Sequence, residues 1–145
     1  MFKTILVPTD GSALVDKAIA GAIELAATCD GKIIGLSVAE PYPLLPLAEN
    51  PIAPEIGLYD ESAQKIAQQH VKKIADSART AGIPYEIIVT QSFSPHEEIL
   101  SMAKKCRCDV IVMASHGRKG WSKLLLGSET RKVLAHSSIP VLVFR

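Results

Sequence analysis

Along this chain, short runs of unbroken apolar residues alternate with longer stretches in which apolar residues return every three or four positions. The first run, Thr4 to Val7, predicts a strand. A strand with one wet face would alternate, so its continuous apolar character belongs to a sheet covered on both faces. Asp10, Gly11 and Ser12 then break the pattern with side chains suited to capping a helix. From Ala13 to Thr28, Leu14, Ala18, Ala22 and Leu25 recur at helical spacing, widened by Val15, Ile19, Ile23 and Ala26. Gly31, after Asp30, reads as the stop. Lys32 to Ala39 predicts a second strand. Glu40 to Gly57 holds Pro41, Pro43, Pro46, Pro51 and Pro54 and reads as a loop, because proline serves neither a helix interior nor a central strand. Its apolar Leu44, Leu45, Leu47 and Ile52 predict that it covers something or meets a partner.

Leu58 to Ala81 carries the longest helical pattern, with Ala63, Ile66, Ala67, His70, Val71, Ile74 and Ala78 on one stripe; Gly82 and Pro84 end it. Tyr85 to Thr90 predicts a third strand. Ser94-Pro95-His96-Glu97 reads as a capping box with proline at the first helical position, opening a helix that carries Ile99, Leu100 and Ala103. Asp109 to Ala114 predicts a fourth strand. Ser115 to Gly127 is a glycine-punctuated loop, Ser128 caps a short helix to about Ala135, and Ile139 to Phe144 predicts the last strand. Strict alternation of strand and helix implies an α/β fold: a doubly wound, Rossmann-like open sheet of five parallel strands with helices on both faces. No composition shift marks a second domain, so residues 1–145 are expected to form one.

In such a sheet, ligands bind beyond the carboxyl ends of the strands, where the winding reverses. The strand exits are Pro8-Thr9-Asp10-Gly11-Ser12, then Ala39-Glu40, then Gln91-Ser92, then Ser115-His116-Gly117. Gly117 leaves room for backbone amides to approach a polyphosphate, and Gly127-Ser128 open a helix whose amides and dipole favour an anion. The same glycines serve equally as turn residues, and Ser128 as an ordinary cap. The pattern is neither a Walker loop nor a G-x-G-x-x-G fingerprint. A receiver-domain reading lacks its acidic acceptor, since Gln91-Ser92 follows the third strand.

Charge removes two classes of partner. Sixteen basic and fifteen acidic residues give a net +1, so no field of one sign draws nucleic acid or acidic lipid. No apolar run approaches the ~20 residues of a membrane span. The opening run is short and broken by Pro8, so no signal peptide is expected. Cys29, Cys106 and Cys108 form no disulfide framework, which suits a reducing, cytoplasmic setting. Only 5% of residues are aromatic, so Ala, Val, Ile and Leu must build the core. His70, His96 and His136 show no metal-ligand spacing and read as structural or solvated.

Several ordered segments together resemble the universal stress protein family. They are Val7-Pro8-Thr9-Asp10-Gly11-Ser12, Pro95-His96-Glu97-Glu98-Ile99, Asp109 to Met113, and Ile139-Pro140-Val141-Leu142-Val143. ATP-binding members carry Gly-x-x-Gly, nine residues, then Gly-Ser/Thr. Gly117 and Gly127-Ser128 match with residues 118–126 between them, while Ala114 replaces the first glycine. The resemblance implies an ATP-binding stress-response regulator that admits Mg²⁺ or Mn²⁺ with the nucleotide. It implies Asp10 on the ribose or adenine side, together with Pro8 and Thr9, and Val38 on the adenine. Ala114, Ser115, His116 and Gly117, with Gly127, Ser128, Glu129 and Thr130, would surround the phosphates, and Met113 and Arg118 would flank them as further nucleotide-binding residues. It also implies a homodimer paired through Ile139 to Phe144, which would cover an edge strand. No base, nucleophile and arginine stand together as a set, so the expected enzyme activity is at most slow ATP hydrolysis. A nucleotide-independent dimeric interaction protein is the alternative, permitted by Ala114.

Overall fold

The computed structural model describes residues 1–43, 53–117 and 125–145, with the side chains of Ala53 and Pro54 left aside. In chain order its elements are β1 (Thr4–Pro8), α1 (Val15–Cys29), β2 (Lys32–Ala39), α2 (Ala53–Thr80), β3 (Tyr85–Gln91), α3 (Pro95–Lys105), β4 (Val110–Ala114), α4 (Ser128–His136) and β5 (Val141–Phe144). The strands form one sheet in the order β3-β2-β1-β4-β5, and every pairing is parallel.

Side chains alternate across a strand, so a continuously apolar strand feeds two cores. Ile5, Val7, Ile33, Val110 and Val112 face one way, onto Val15, Ala18 and Ala22 of α1 and Ile74 and Ala78 of α2. Leu6, Ile34, Leu36, Ile111 and Met113 face the other way, onto Ile99, Met102 and Ala103 of α3 and Val133 of α4. Helices therefore cover both faces.

The ends of elements differ from the sequence reading for local reasons. Asp10 and Ser12 do not cap α1, which starts at Val15 behind Leu14 without a side-chain cap. Instead Asp10 Oδ1 accepts the Ser12 amide at 3.0 Å and Thr9 Oγ1 accepts the Gly11 amide at 3.1 Å, so these side chains shape the turn. The left-handed residue ending α1 is Asp30 (φ 51°), with Gly31 donating to Ala26 O at 2.8 Å. The predicted proline-rich loop ends earlier than Gly57, because α2 begins at Ala53. Pro54 falls in its first turn, where a missing amide costs nothing. Leu44, Leu45, Leu47 and Ile52 lie in or beside that loop and outside the described residues. Ser94 is the N-cap of α3, but the capping box does not form. Gly127, not Ser128, is the N-cap of α4, and Ser128 is its first helical residue. β5 starts only at Val141, although Pro140 O still accepts from Ile111.

At the amino ends of the strands the chain satisfies itself. Asp109 Oδ2 accepts the amides of both Lys3 and Thr4 at 2.8 Å, joining the starts of β1 and β4. Cys108 beside it is buried, and burial, with the neighbouring Cys106 and Asp109 charges, pushes its thiol up to about 12. Cys29 and Cys106 are half-buried free thiols.

Candidate functional site

At the opposite, carboxyl ends of β1, β2 and β4 lies a crevice of about 590 Å³. β1 is the strand where the winding reverses, with β2 on one side and β4 on the other. The helices after β1 and β4 turn away to opposite faces of the sheet, and the gap between them is the crevice.

Its floor is Thr9, Met113, Ala114 and Thr130, all at least nine-tenths buried. Thr130 Oγ1 donates to Ala114 O at 3.0 Å and fixes α4 onto the end of β4. The Gly127 amide donates to Ser115 O at 2.8 Å, and the Ser115 amide donates to Phe144 O at 2.7 Å. The loop after β4, the start of α4 and the end of β5 are thus joined through the backbone.

Two glycines let these loops meet. A Cβ on Gly117 would collide with the Asp10 carboxylate, so a side chain there would have to displace that carboxylate from the exit of β1. A Cβ on Gly127 would sit 3.0 Å from His116 Cα and 3.3 Å from its Cβ. Space at Gly127 is therefore taken first by the protein's own backbone. Gly11 adopts φ 76°, and the His70 ring covers the place where its Cβ would be.

The crevice brings together Pro8, Thr9, Asp10, Val38, Met113, Ala114, His116, Gly117, Gly127, Ser128, Glu129 and Thr130. Ser115 is buried behind the lining, with its Oγ 3.1 Å from His116 Nδ1. Arg118 lies outside the described residues, as do Lys119, Gly120, Trp121 and Leu124 of the same loop. The sequence reading missed the facing wall. Tyr59, Ala63, Ile66, Ala67 and His70 of α2 line it, with Ser92, Phe93, Pro95 and Ile99 at the start of α3. The α2 stripe had looked uniform, but Ala67, Val71, Ile74 and Ala78 are buried, while Ile66 remains 46% exposed at the crevice. The usable signal was that the stripe outruns the sheet it packs against.

Two helix starts face this space and differ in what satisfies them. In α4 the first intrahelical bond is Arg131 to Gly127 O at 3.0 Å, so the amides of Ser128, Glu129 and Thr130 have no acceptor within the helix. In α3, Pro95 has no amide, and the amide of His96 donates to Glu129 Oε2 at 2.9 Å. The His96 ring lies 3.0 Å from the same oxygen, and Lys132 reaches Glu129 Oε1 at 3.2 Å. Burial pushes the Glu129 carboxyl up, but the bonds from Lys132 and from the amide and ring of His96 prevail and hold it below its ordinary value. It is therefore ionised at neutral pH.

Among the described residues, no group of three or more His, Cys, Asp or Glu side chains is placed to hold a metal ion. No described helix is long and apolar enough to cross a membrane.

The model of the universal stress protein family matches residues 1–145. A universal stress protein of Thermus aquaticus is 31% identical over 145 residues, covering 100% of both chains. A solved universal stress protein in complex with cAMP superposes with a TM-score of 0.70 at 25% identity, covering 99% of this chain and 97% of that one. An Arabidopsis thaliana family member solved with AMP bound shares the fold at a TM-score of 0.69 and 16% identity, covering 98% of this chain and 90% of its own.

Proposed function

Because the chain belongs to the universal stress protein family, we propose that it takes an adenine nucleotide, ATP, into this crevice and acts as a nucleotide-dependent stress-response regulator in the cytoplasm. One observation carries the reading. The start of α4 offers three amides without helical partners to a crevice large enough for a nucleotide. The cAMP and AMP held by family members of the same fold support it.

In this reading the amides of Ser128, Glu129 and Thr130 and the hydroxyl of Ser128 hold phosphate oxygens, with Gly117 and His116 closing from the other side. Ser115 and Arg118 belong to the same loop. Asp10 accepts from the ribose hydroxyls, and the base lies against Val38 above Pro8, Thr9, Met113 and Ala114. Ala114 stands where ATP-binding relatives carry a glycine, and its methyl is 94% withdrawn into the floor (6% exposed). The donor set fits an anion, and a divalent ion, Mg²⁺ or Mn²⁺, would enter chelated by the phosphates. The protein is a binding module with at most slow ATP hydrolysis. It pairs with a second copy through Ile139 to Phe144. β5 is the sheet's edge and Leu142 on it is 43% exposed, as an edge awaiting a partner would be.

Calorimetry on nucleotide-stripped protein tests this, with ATP and Mg²⁺ as titrant and the single tryptophan, Trp121, as fluorescent reporter. Saturable binding of one nucleotide per chain is expected. No saturable heat would overturn the reading in favour of a nucleotide-independent interaction protein. Phosphate release well above background would make the protein an ATPase.

A further inference from the structure

Glu129 is the second residue of α4, in the turn whose amides receive the phosphates in the reading above, and the inference rests on that reading. A carboxylate there is an unusual neighbour for a polyphosphate. The Glu129 carboxylate is bonded to the start of α3 rather than to the α4 amides, and it repels further negative charge. Its charge is fixed in position by the α3 amide at His96, the His96 ring and Lys132. Glu40 lines the same crevice, and no lysine or arginine does so among the described residues.

We propose that Glu129 is a specificity-determining residue that selects the ligand by the charge on its phosphates, admitting monophosphates and metal-chelated triphosphate and disfavouring metal-free triphosphate. Repulsion from one fixed charge grows with the charge it faces. AMP carries about two negative charges and metal-free ATP about four, while one divalent ion returns ATP to about two. The two ligands therefore report Glu129 to different extents.

The test is calorimetric titration of wild type and Glu129→Gln with AMP, with ATP in chelator, and with ATP in excess Mg²⁺, at low salt. Glutamine keeps one oxygen to accept the His96 amide and removes the charge together with its pairing to Lys132. Expected are a gain of about tenfold for metal-free ATP and about threefold for AMP and Mg²⁺-ATP, narrowing as salt is raised. Glu129→Asp keeps the charge and should keep the wild-type order of the three ligands. Equal gains for all three, or the same change in Glu129→Asp as in Glu129→Gln, would overturn the inference and leave nucleotide binding standing. If wild type binds none of the three, the nucleotide reading itself falls.

Discussion

The two ends of the central strands use similar backbone chemistry for opposite purposes. At the amino ends, the amides of Lys3 and Thr4 are held by the Asp109 carboxylate, and α1 and α3 close through left-handed Asp30 and Arg107. At the carboxyl ends, the amides opening α4 have no helical acceptor, and the glycines at 117 and 127 let two loops meet around a crevice. The amino end satisfies its polar groups internally, whereas the three amides opening α4 find no acceptor within their helix. α3 sharpens the lesson, because it also faces the crevice yet is satisfied internally by Glu129. A helix start is available to a ligand only where the fold has not already supplied the anion.

If the amino end is a stability layer, changes there should move folding and leave nucleotide affinity alone. The largest expected effect is alkaline. The folded chain keeps the Cys108 proton that the unfolded chain releases above pH 9, so stability is full below that point and falls until the folded value of about 12. The loss is up to about 1.4 kcal/mol per pH unit across that window. Urea unfolding in steps from pH 8 to pH 12 measures it, a total of about 4 kcal/mol, and Cys108→Ala should flatten the slope.

Next in size is Gly127→Val at the carboxyl end. Its added carbons meet the His116 backbone and push apart the loops that frame the α4 amides. ATP affinity should fall about 100-fold, roughly 2.7 kcal/mol, in calorimetry. The reason is displaced backbone rather than a blocked phosphate.

Asp109→Ala should cost about 2 kcal/mol in urea unfolding, by leaving the part-buried Thr4 amide and the exposed Lys3 amide without their charged acceptor. ATP affinity should stay within about twofold. A matching loss of affinity would dissolve the distinction between the two ends. The smallest effect is a gain. Arg107→Gly relieves a side chain at φ 50° and should raise stability by about 0.5–1 kcal/mol, read as a higher urea midpoint.

The central strands β1, β2 and β4 were legible because they are buried on both faces and therefore unbroken in their apolar residues, as Ile33 and Ile34 of β2 illustrate. The crevice wall built from β1, β4 and α4 was legible because strand exits and glycines are local features. The wall from α2 was not. Ile66 and Val71 look alike in sequence, and only the length of α2 relative to the sheet decides which is core. Caps misled for a related reason. Asp10, Ser12 and Ser94 carry N-cap chemistry, but the Asp10 carboxylate takes the Ser12 amide, the Ser94 hydroxyl meets the His96 ring, and the buried Ser12 hydroxyl finds no partner among the described residues. The role of Glu129 at His96 links residues 33 apart in sequence, which no local pattern encodes.

The central claim is that a nucleotide is held at the carboxyl ends against the start of α4. Amide NMR of ¹⁵N-labelled protein titrated with AMP tests it most directly. The account predicts saturable shifts largest at 128–130, followed by 9–11 and 38–40, with Lys3, Thr4 and 107–110 unmoved. Shifts centred on the amino ends, or none that saturate, would contradict it.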